Sequence, residues 1–542
     1  MGQVHGGRLV AQALRRHEID VVFTLCGGHI QAIYDGCLDE GIRVIDTRHE
    51  QTAGFAADAY ARVTGKPGVC LVTAGPGITN TVTALANAQR AGVPMICLGG
   101  AGPKSLCDMG SLQDLDSVRL MRPISKWAAQ IPETRRIKEY IDNAFRIARG
   151  GFPGPVYLEL PLDLLMDLGS DEEPRTRPMA PPRPSPSLSD LAEAARLMEE
   201  AERPCFIVGS QLHWSPARHF LPEAAEHFGV PFFLNGMARG ALPAEHPSLF
   251  LHSRRQALKR ADLVVVLGTP FDFRVDYGRS PTWNPNAKVI QVDLEPNEIA
   301  RNRGVDLGIV ADSGIFLEQL VRECAPKQAA AWLAELSELE QARRAGMQQE
   351  IETRTNPPNP LHVCHELGKR LGPEDIVIGD GGDFVATAAY TIPISWPQMW
   401  MDPGPLGTLG VGPGYAMAAA LARPNARVVI VFGDGSFGLN AMEFEALARH
   451  GLKIVAVIGN DAAWTQIRRG QVQLYGEERA IATRLEYTRY EEVVRALGGK
   501  GFWVERVKEL GPALDGAFAA DVPSCVNVRI APSEFRKGAI SV

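Results

Sequence analysis

The residues best placed to do chemistry are Asp434, inside the run GDGSFG at 433–438, and Asn460, which closes an apolar run 26 positions later. A carboxylate and an amide oxygen suit a hard divalent cation such as Mg²⁺, which keeps few protein contacts and takes its remaining oxygens from phosphate and water. Gly433 and Gly435 let the backbone approach a ligand closely, and a helix starting there would offer unpaired N–H groups to an anion. The same six residues satisfy G-x-G-x-x-G, the dinucleotide fingerprint. Asp434 argues against that reading, because a carboxylate in a pyrophosphate loop repels its ligand unless a cation lies between them. The pattern predicts a metal-bound diphosphate, with Asp434 and Asn460 as metal ligands.

Strands must deliver these residues. ARVVIVF before the loop and LKIVAVIGN ending in Asn460 are apolar and β-branched, as parallel strands buried on both faces should be, and AMEFEALARH has helical spacing. At 542 residues the chain is too long for one core. The alternation of strand and helix recurs in three blocks, predicting an α/β chain of three doubly wound parallel-sheet domains. The first spans 1–170; a proline-dense tether follows at 171–188. The second, 189–325, carries CFIVGS, LVVVLG and KVIQVDL as strands. A charged helical linker at 326–355 leads into the third, 356–542.

Composition bounds the function. A net charge of −7 without long blocks of like charge disfavours a nucleic-acid partner. No apolar run approaches the roughly 18 residues that would suggest a membrane span. Nine scattered cysteines without C-x-x-C spacing fit reduced thiols and a cytoplasmic protein.

GDG followed by about two dozen residues and Asn resembles the thiamine diphosphate motif. DTRHEQTAGFAADAYARVTGKPGVCLVTAGPGITNTVTALANA is similar to the pyrimidine-binding domain of the acetolactate synthase, benzaldehyde lyase and 2-hydroxyacyl-CoA lyase superfamily. This resemblance implies thiamine diphosphate and Mg²⁺ as cofactors, and makes the blocks pyrimidine-binding, central and diphosphate-binding domains. It implies that Glu50 hydrogen-bonds N1′ of the aminopyrimidine, a task a carboxyl does best when dry. The Ala462 carbonyl becomes a third metal ligand, with Gly433, Gly435, Ser436 and Ala463 beside the diphosphate. GDGGDF at 379–384 resembles a second diphosphate loop, placing Gly382, Asp383 and Phe384 near the phosphates. PLGTLGVG at 405–412 is similar to the segment beneath the thiazolium, with Gly407 and Leu409 in place. Cofactor binding between two subunits, hence a homodimer or homotetramer, also follows from the resemblance.

FTLCGGHI puts His29 where acetolactate synthases carry a small residue and benzaldehyde lyases a histidine, which implies a base for a substrate hydroxyl. Gln113 matches a family glutamine that reaches this pocket from the partner subunit and orients substrate. FTLCGGHI, VIDTRHE, VTAGPGITNTVTA, GNDAAWTQI and RKGAISV look like the 2-hydroxyacyl-CoA lyase branch. Such enzymes split a 2-hydroxyacyl-CoA into formyl-CoA and a one-carbon-shorter aldehyde, and run the reverse condensation. Candidate CoA-phosphate ligands are Arg254, Arg255 and Arg274, with Lys259, Arg260 and Arg279 nearby and Arg536 and Lys537 in the tail. Related central domains hold flavin or ADP instead of CoA. The alternatives are acetolactate synthase or benzaldehyde lyase chemistry on free 2-oxo acids and aldehydes, and, more distantly, a dinucleotide-binding oxidoreductase or a non-catalytic paralogue.

Overall fold

The computed structural model describes residues 2–327, 329–533 and 535–536, and organises them around three sheets that are parallel throughout. In the first sheet the strands run, edge to edge, Arg43–Asp46, Val21–Thr24, Gly68–Val72, Met95–Ala101, Pro155–Pro161 and Trp127–Gln130. The third sheet runs Trp400–Met401, Ile376–Asp380, Val428–Gly433, Ile454–Asn460, Ser524–Arg529 and Lys500–Val504. A five-stranded sheet between them in sequence runs Phe232–Leu234, Pro204–Val208, Leu263–Leu267, Lys288–Asp293 and Leu307–Val310. The central strands of each sheet are fully buried, which explains their near-continuous Val, Ile and Leu.

The winding direction reverses between Val21–Thr24 and Gly68–Val72 in the first sheet, and between Ile376–Asp380 and Val428–Gly433 in the third. At such a reversal the following loops diverge and leave a crevice at the carboxyl ends of the strands, where ligands of open α/β sheets bind. His29 and Thr73 follow the two strands at the first reversal, and Gly382 and Asp434 follow the two at the other.

The first and third blocks share one apolar core. Its seam is the helix Glu50–Thr64, whose Ala53, Ala56, Ala57, Ala59 and Ala61 are wholly buried, packed on the helix Gly412–Ala422. Small side chains let the two backbones approach. A Cβ on Gly414 would stand 2.8 Å from the Thr52 carbonyl oxygen, so that position has no room for a side chain.

Some elements differ from the sequence expectation. The helix of AMEFEALARH is Glu443–Arg449, as its spacing predicts, and a separate short helix, Asp434–Asn440, precedes it over the GDGSFG run itself. The charged helix Ala330–Glu352 is docked, burying Trp332 and Leu336 against the central sheet and Met347 and Ile351 against Leu361. Residues 171–187 carry no helix or strand. All nine cysteines are free thiols, and among the described residues no helix is long and apolar enough to cross a membrane.

Candidate active site

Asp434 stands at the carboxyl end of Val428–Gly433 with only 2% of its surface exposed. Its Oδ1 accepts the Gly435 N–H at 2.9 Å and its Oδ2 the Ala463 N–H at 3.2 Å, so the turn after the neighbouring strand closes onto it. In that turn Asn460 Oδ1 accepts the Ala462 N–H at 3.3 Å, and its amide group donates to Thr488 O and Asn527 Oδ1. These donations settle which end of the amide is oxygen, and they turn Oδ1 toward the loop. Ala462 has φ of 55°, a left-handed conformation that costs a residue with a Cβ on the order of 1 kcal/mol. It brings two successive N–H groups onto Asn460 and Asp434. Gly435 is glycine because the Trp464 ring covers it, and a Cβ there would lie 2.7 Å from ring carbons.

This corner is electrostatically unbalanced. Burial, and then the neighbouring Asp461, pushes Asp434 up to about 7, and burial pushes Asp461 up to about 6. What opposes burial at these two carboxyls is chiefly backbone N–H groups and the Thr465 hydroxyl. Among the described residues no three His, Cys, Asp or Glu side chains form a metal cage. A cation here would take Asp434, Asn460 Oδ1 and a backbone carbonyl, then complete its shell from phosphate and water, as Mg²⁺ does.

Asp380 was not singled out in the sequence, and it organises the same corner. It ends the strand Ile376–Asp380 and is fully buried. Its carboxylate accepts the Gly410 N–H at 2.9 Å, the Gly412 N–H at 2.7 Å and the Ser436 hydroxyl. One side chain thereby ties the loop carrying Gly407 and Leu409 to the loop carrying Asp434. Ser436 gives its only hydroxyl hydrogen to Asp380, which leaves its backbone N–H as its donor toward a phosphate. The Phe384 ring is buried against Gly459, where a Cβ would lie 2.4 Å from the ring. Phe384 supports the Asn460 strand from beneath. Asp383 is held by Arg469 in two hydrogen bonds of 2.7 and 2.8 Å, with Arg536 3.7 Å away.

On the first sheet, His29 Nδ1 lies 3.2 Å from Thr73 Oγ1, which in turn lies 3.5 Å from Gln113 Oε1. Burial lowers the His29 pKa, so the ring is neutral at neutral pH and able to accept a proton. Gln113, expected to arrive from a partner subunit, stands beside His29 in the same chain. It holds φ of 63° against Gly75, at which a Cβ would be 2.8 Å from the Gln113 carbonyl oxygen. Glu50 opens the helix Glu50–Thr64, is 7% exposed, and accepts 2.9 Å from Asn80 Nδ2. Among the described residues no hydrogen bond joins Glu50, His29 or Gln113 to the Asp434 corner of the same chain.

A cavity of about 750 Å³ opens between the central and third blocks. Arg254, Arg255, Arg274 and Arg536 line it, together with Arg239 and Arg343, which the sequence reading passed over. Gly382 and Gly407, from the loops around Asp380, form part of the same wall. Arg274 is already paired with Asp272 at 2.7 Å and Arg254 donates to Asn235 at 2.8 Å. Lys259, Arg260 and Arg279 lie outside the cavity; Arg260 pairs with Glu335 instead. Lys537 lies outside the described residues.

Comparison with known proteins matches residues 4–120 to the thiamine pyrophosphate enzyme N-terminal TPP binding domain, 191–320 to the central domain, and 380–528 to the C-terminal TPP binding domain. The chain belongs to the thiamine pyrophosphate enzyme family. It is 39% identical to the acetolactate synthase large subunit IlvG of Mycobacterium tuberculosis, over 98% of this chain and 96% of that protein. It is 38% identical to 2-hydroxyacyl-CoA lyase 2 of Homo sapiens, over 99% and 92%, and 36% identical to the Caenorhabditis elegans protein of that name, over 99% and 91%. As a thiamine pyrophosphate enzyme, the chain has a donor set that fits its cofactor. The raised, buried Asp434 calls for a cation, the oxygens around it leave coordination places for a diphosphate, and Glu50 waits at the other crevice.

Proposed function

We propose that this chain is a thiamine diphosphate- and Mg²⁺-dependent carbon–carbon lyase that splits a 2-hydroxyacyl-CoA into formyl-CoA and a one-carbon-shorter aldehyde, and that runs the reverse condensation. The observation carrying this reading is the cavity of about 750 Å³ whose arginines share a wall with Gly382 and Gly407. A free 2-oxo acid needs one cation, whereas a CoA carries several phosphate charges, and guanidinium forks match phosphate oxygens in pairs. Arg255 and Arg343 line the cavity with no carboxylate within ion-pair distance among the described residues; Arg343 lies over the Phe535 ring, 5.1 Å from its centroid, and both keep an unneutralised charge. CoA is favoured over ADP or flavin because the arginines continue up to the cofactor loops, where a thioester must react. The relatives named 2-hydroxyacyl-CoA lyase 2 support the same reading.

Asp434, Asn460 and the Ala462 carbonyl would hold Mg²⁺; the Gly433, Gly435, Ser436 and Ala463 backbone would face the diphosphate, with Leu409 beneath the ring and Glu50 at N1′. Bound thiamine diphosphate supplies a carbon nucleophile and accepts the charge that develops on cleavage. His29, neutral because it is buried, takes the proton of the substrate 2-hydroxyl at the ring nitrogen not engaged by Thr73. Gln113 orients that hydroxyl. A proton returned to the thioester carbon completes formyl-CoA, so substrate and products balance.

Glu50 and Asp434 are brought together by pairing two copies of the chain. Exposed apolar side chains flank both halves: Met109 and Leu112 beside Gln113, and Leu439 and Met442 beside the metal loop. Exposed apolar groups of this kind mark association surfaces. The free thiols suit a reducing compartment such as the cytoplasm.

The test is a product assay with thiamine diphosphate and Mg²⁺, offering a 2-hydroxyacyl-CoA in one vessel and pyruvate in another. Formyl-CoA with the shortened aldehyde is the expected outcome. Acetolactate from pyruvate, with the CoA substrate untouched, would move the assignment to the synthase reaction named for the mycobacterial relatives.

A further inference from the structure

Glu443 opens the helix Glu443–Arg449, separated by two residues from the end of the helix that starts at Asp434, and is 1% exposed. No cationic side chain pairs with it among the described residues; its oxygens accept the Arg48 backbone N–H at 3.1 and 3.0 Å. Arg48 is two residues before Glu50. The intervening His49 is the cap of the glutamate's helix, and its ring accepts the Gln51 N–H at 3.1 Å. The other end of the Glu443 helix holds the start of the same connector. Arg449 donates to Asp46 Oδ1 at 2.7 Å, and His450 lies 2.9 Å from the Asp46 carbonyl oxygen. The strand-to-helix connector that delivers Glu50 is therefore gripped at both ends by an element that continues from the metal loop.

A burial this complete demands a structural return, because a buried carboxyl that serves only packing is better replaced by an apolar side chain. Here its hydrogen bonds go to one short segment, the Arg48 and His49 backbone and the Thr52 side chain, and that segment sets the direction in which Glu50 leaves the first sheet. We infer that Glu443 is a positioning residue for Glu50, and that it couples occupancy of the metal loop to the geometry of the glutamate. The inference rests on the proposed role of Glu50 at the cofactor. In the two-copy arrangement, the path from Asp434 through Glu443 and Arg48 to Glu50 runs between the two sites of the pair.

The test uses the full chain and the variants Glu443→Ala, Glu443→Gln and Glu50→Gln. Misplacing a catalytic group by about 1 Å costs on the order of 100-fold in rate. Glu443→Ala should therefore lower kcat roughly 10- to 100-fold, with KM and the thiamine diphosphate Kd changed far less. Glu443→Gln, which keeps one acceptor oxygen, should recover part of that loss. Hydrogen exchange of the amides at 48–52 should accelerate in Glu443→Ala without cofactor. Adding Mg²⁺ with inorganic diphosphate, a probe too short to reach Glu50, should slow that exchange in the wild type and not in Glu443→Ala. Where Glu50→Gln loses turnover while Glu443→Ala keeps kcat and its exchange pattern, the inference falls and the cofactor reading stands. Full turnover in Glu50→Gln overturns both.

Discussion

Asp380→Asn separates a buried charge from a merely polar group. In the native chain burial pushes the Asp380 carboxyl from 3.8 up to about 6, against the hydrogen bonds from Ser436, Gly412 and Gly410. Between these values the folded form binds a proton that the unfolded form has released, so stability falls as pH rises from about 4 to about 6 and is level above it. From pH 4.5 to pH 7 the loss attributable to this carboxyl is about 2 kcal/mol. Asparagine does not titrate, so the variant lacks this slope. Its own cost, one acceptor exchanged for a donor facing the Gly410 or Gly412 N–H, is independent of pH and cancels when the two pH values are compared. A stability change of that size moves Tm by roughly 4–8 °C in a domain of this scale. The assay is the apparent Tm of both proteins without cofactor, at one scan rate, at pH 4.5, 5.5 and 7. The variant should gain on the wild type by that margin between the extremes. An identical gap at every pH would refute the argument that Asp380 is charged and desolvated at neutral pH.

Asp434→Ala should abolish Mg²⁺-dependent retention of thiamine diphosphate, read by gel filtration of the loaded protein, and should not lower the apo Tm, because a buried carboxyl raised to about 7 is a cost to the fold. His29→Ala should slow cleavage about 100-fold; in the wild type kcat/KM should persist below the usual imidazole midpoint of about 6.5, since burial lowers this pKa. Arg255→Ala should raise KM for a hydroxyacyl-CoA about tenfold, the worth of one charge-assisted contact, with kcat changed less than about threefold. Steady-state kinetics over a range of CoA substrate concentrations separates these two effects.

The strands of the metal corner were legible because burial on both faces forces a residue type. ARVVIVF and LKIVAVIGN correspond to Val428–Gly433 and Ile454–Asn460, with Asp434 following the first and Asn460 ending the second. The break at 441–442 was not legible, since neither glycine nor proline marks it and AMEFEALARH has helical spacing from its first residue, yet the helix begins only at Glu443, whose side chain reaches the Arg48 N–H. The basic cluster illustrates the same limit. Arg254 and Arg260 share one short helix, yet one faces the cavity and the other Glu335, a choice made by partners remote in sequence.

Asp380 and Glu443 mark where reading residues one chain position at a time stops. Both bind backbone N–H groups, and a backbone donor carries no residue type, so nothing in the partner sequence announces the contact. A weak signal existed for Asp380. VIGDG at 377–381 repeats the VFGDG of 431–435 on the adjacent strand, so two strand-end aspartates flank one crevice. Their duties divide by what surrounds them. Asp380, whose carboxylate receives the Gly410 and Gly412 N–H groups and the Ser436 hydroxyl, ties two loops to the scaffold, whereas Asp434 receives only backbone N–H groups and faces another carboxylate. The same string thus yields a loop anchor on one strand and a metal ligand on the next, and the difference lies in which backbone amides arrive first.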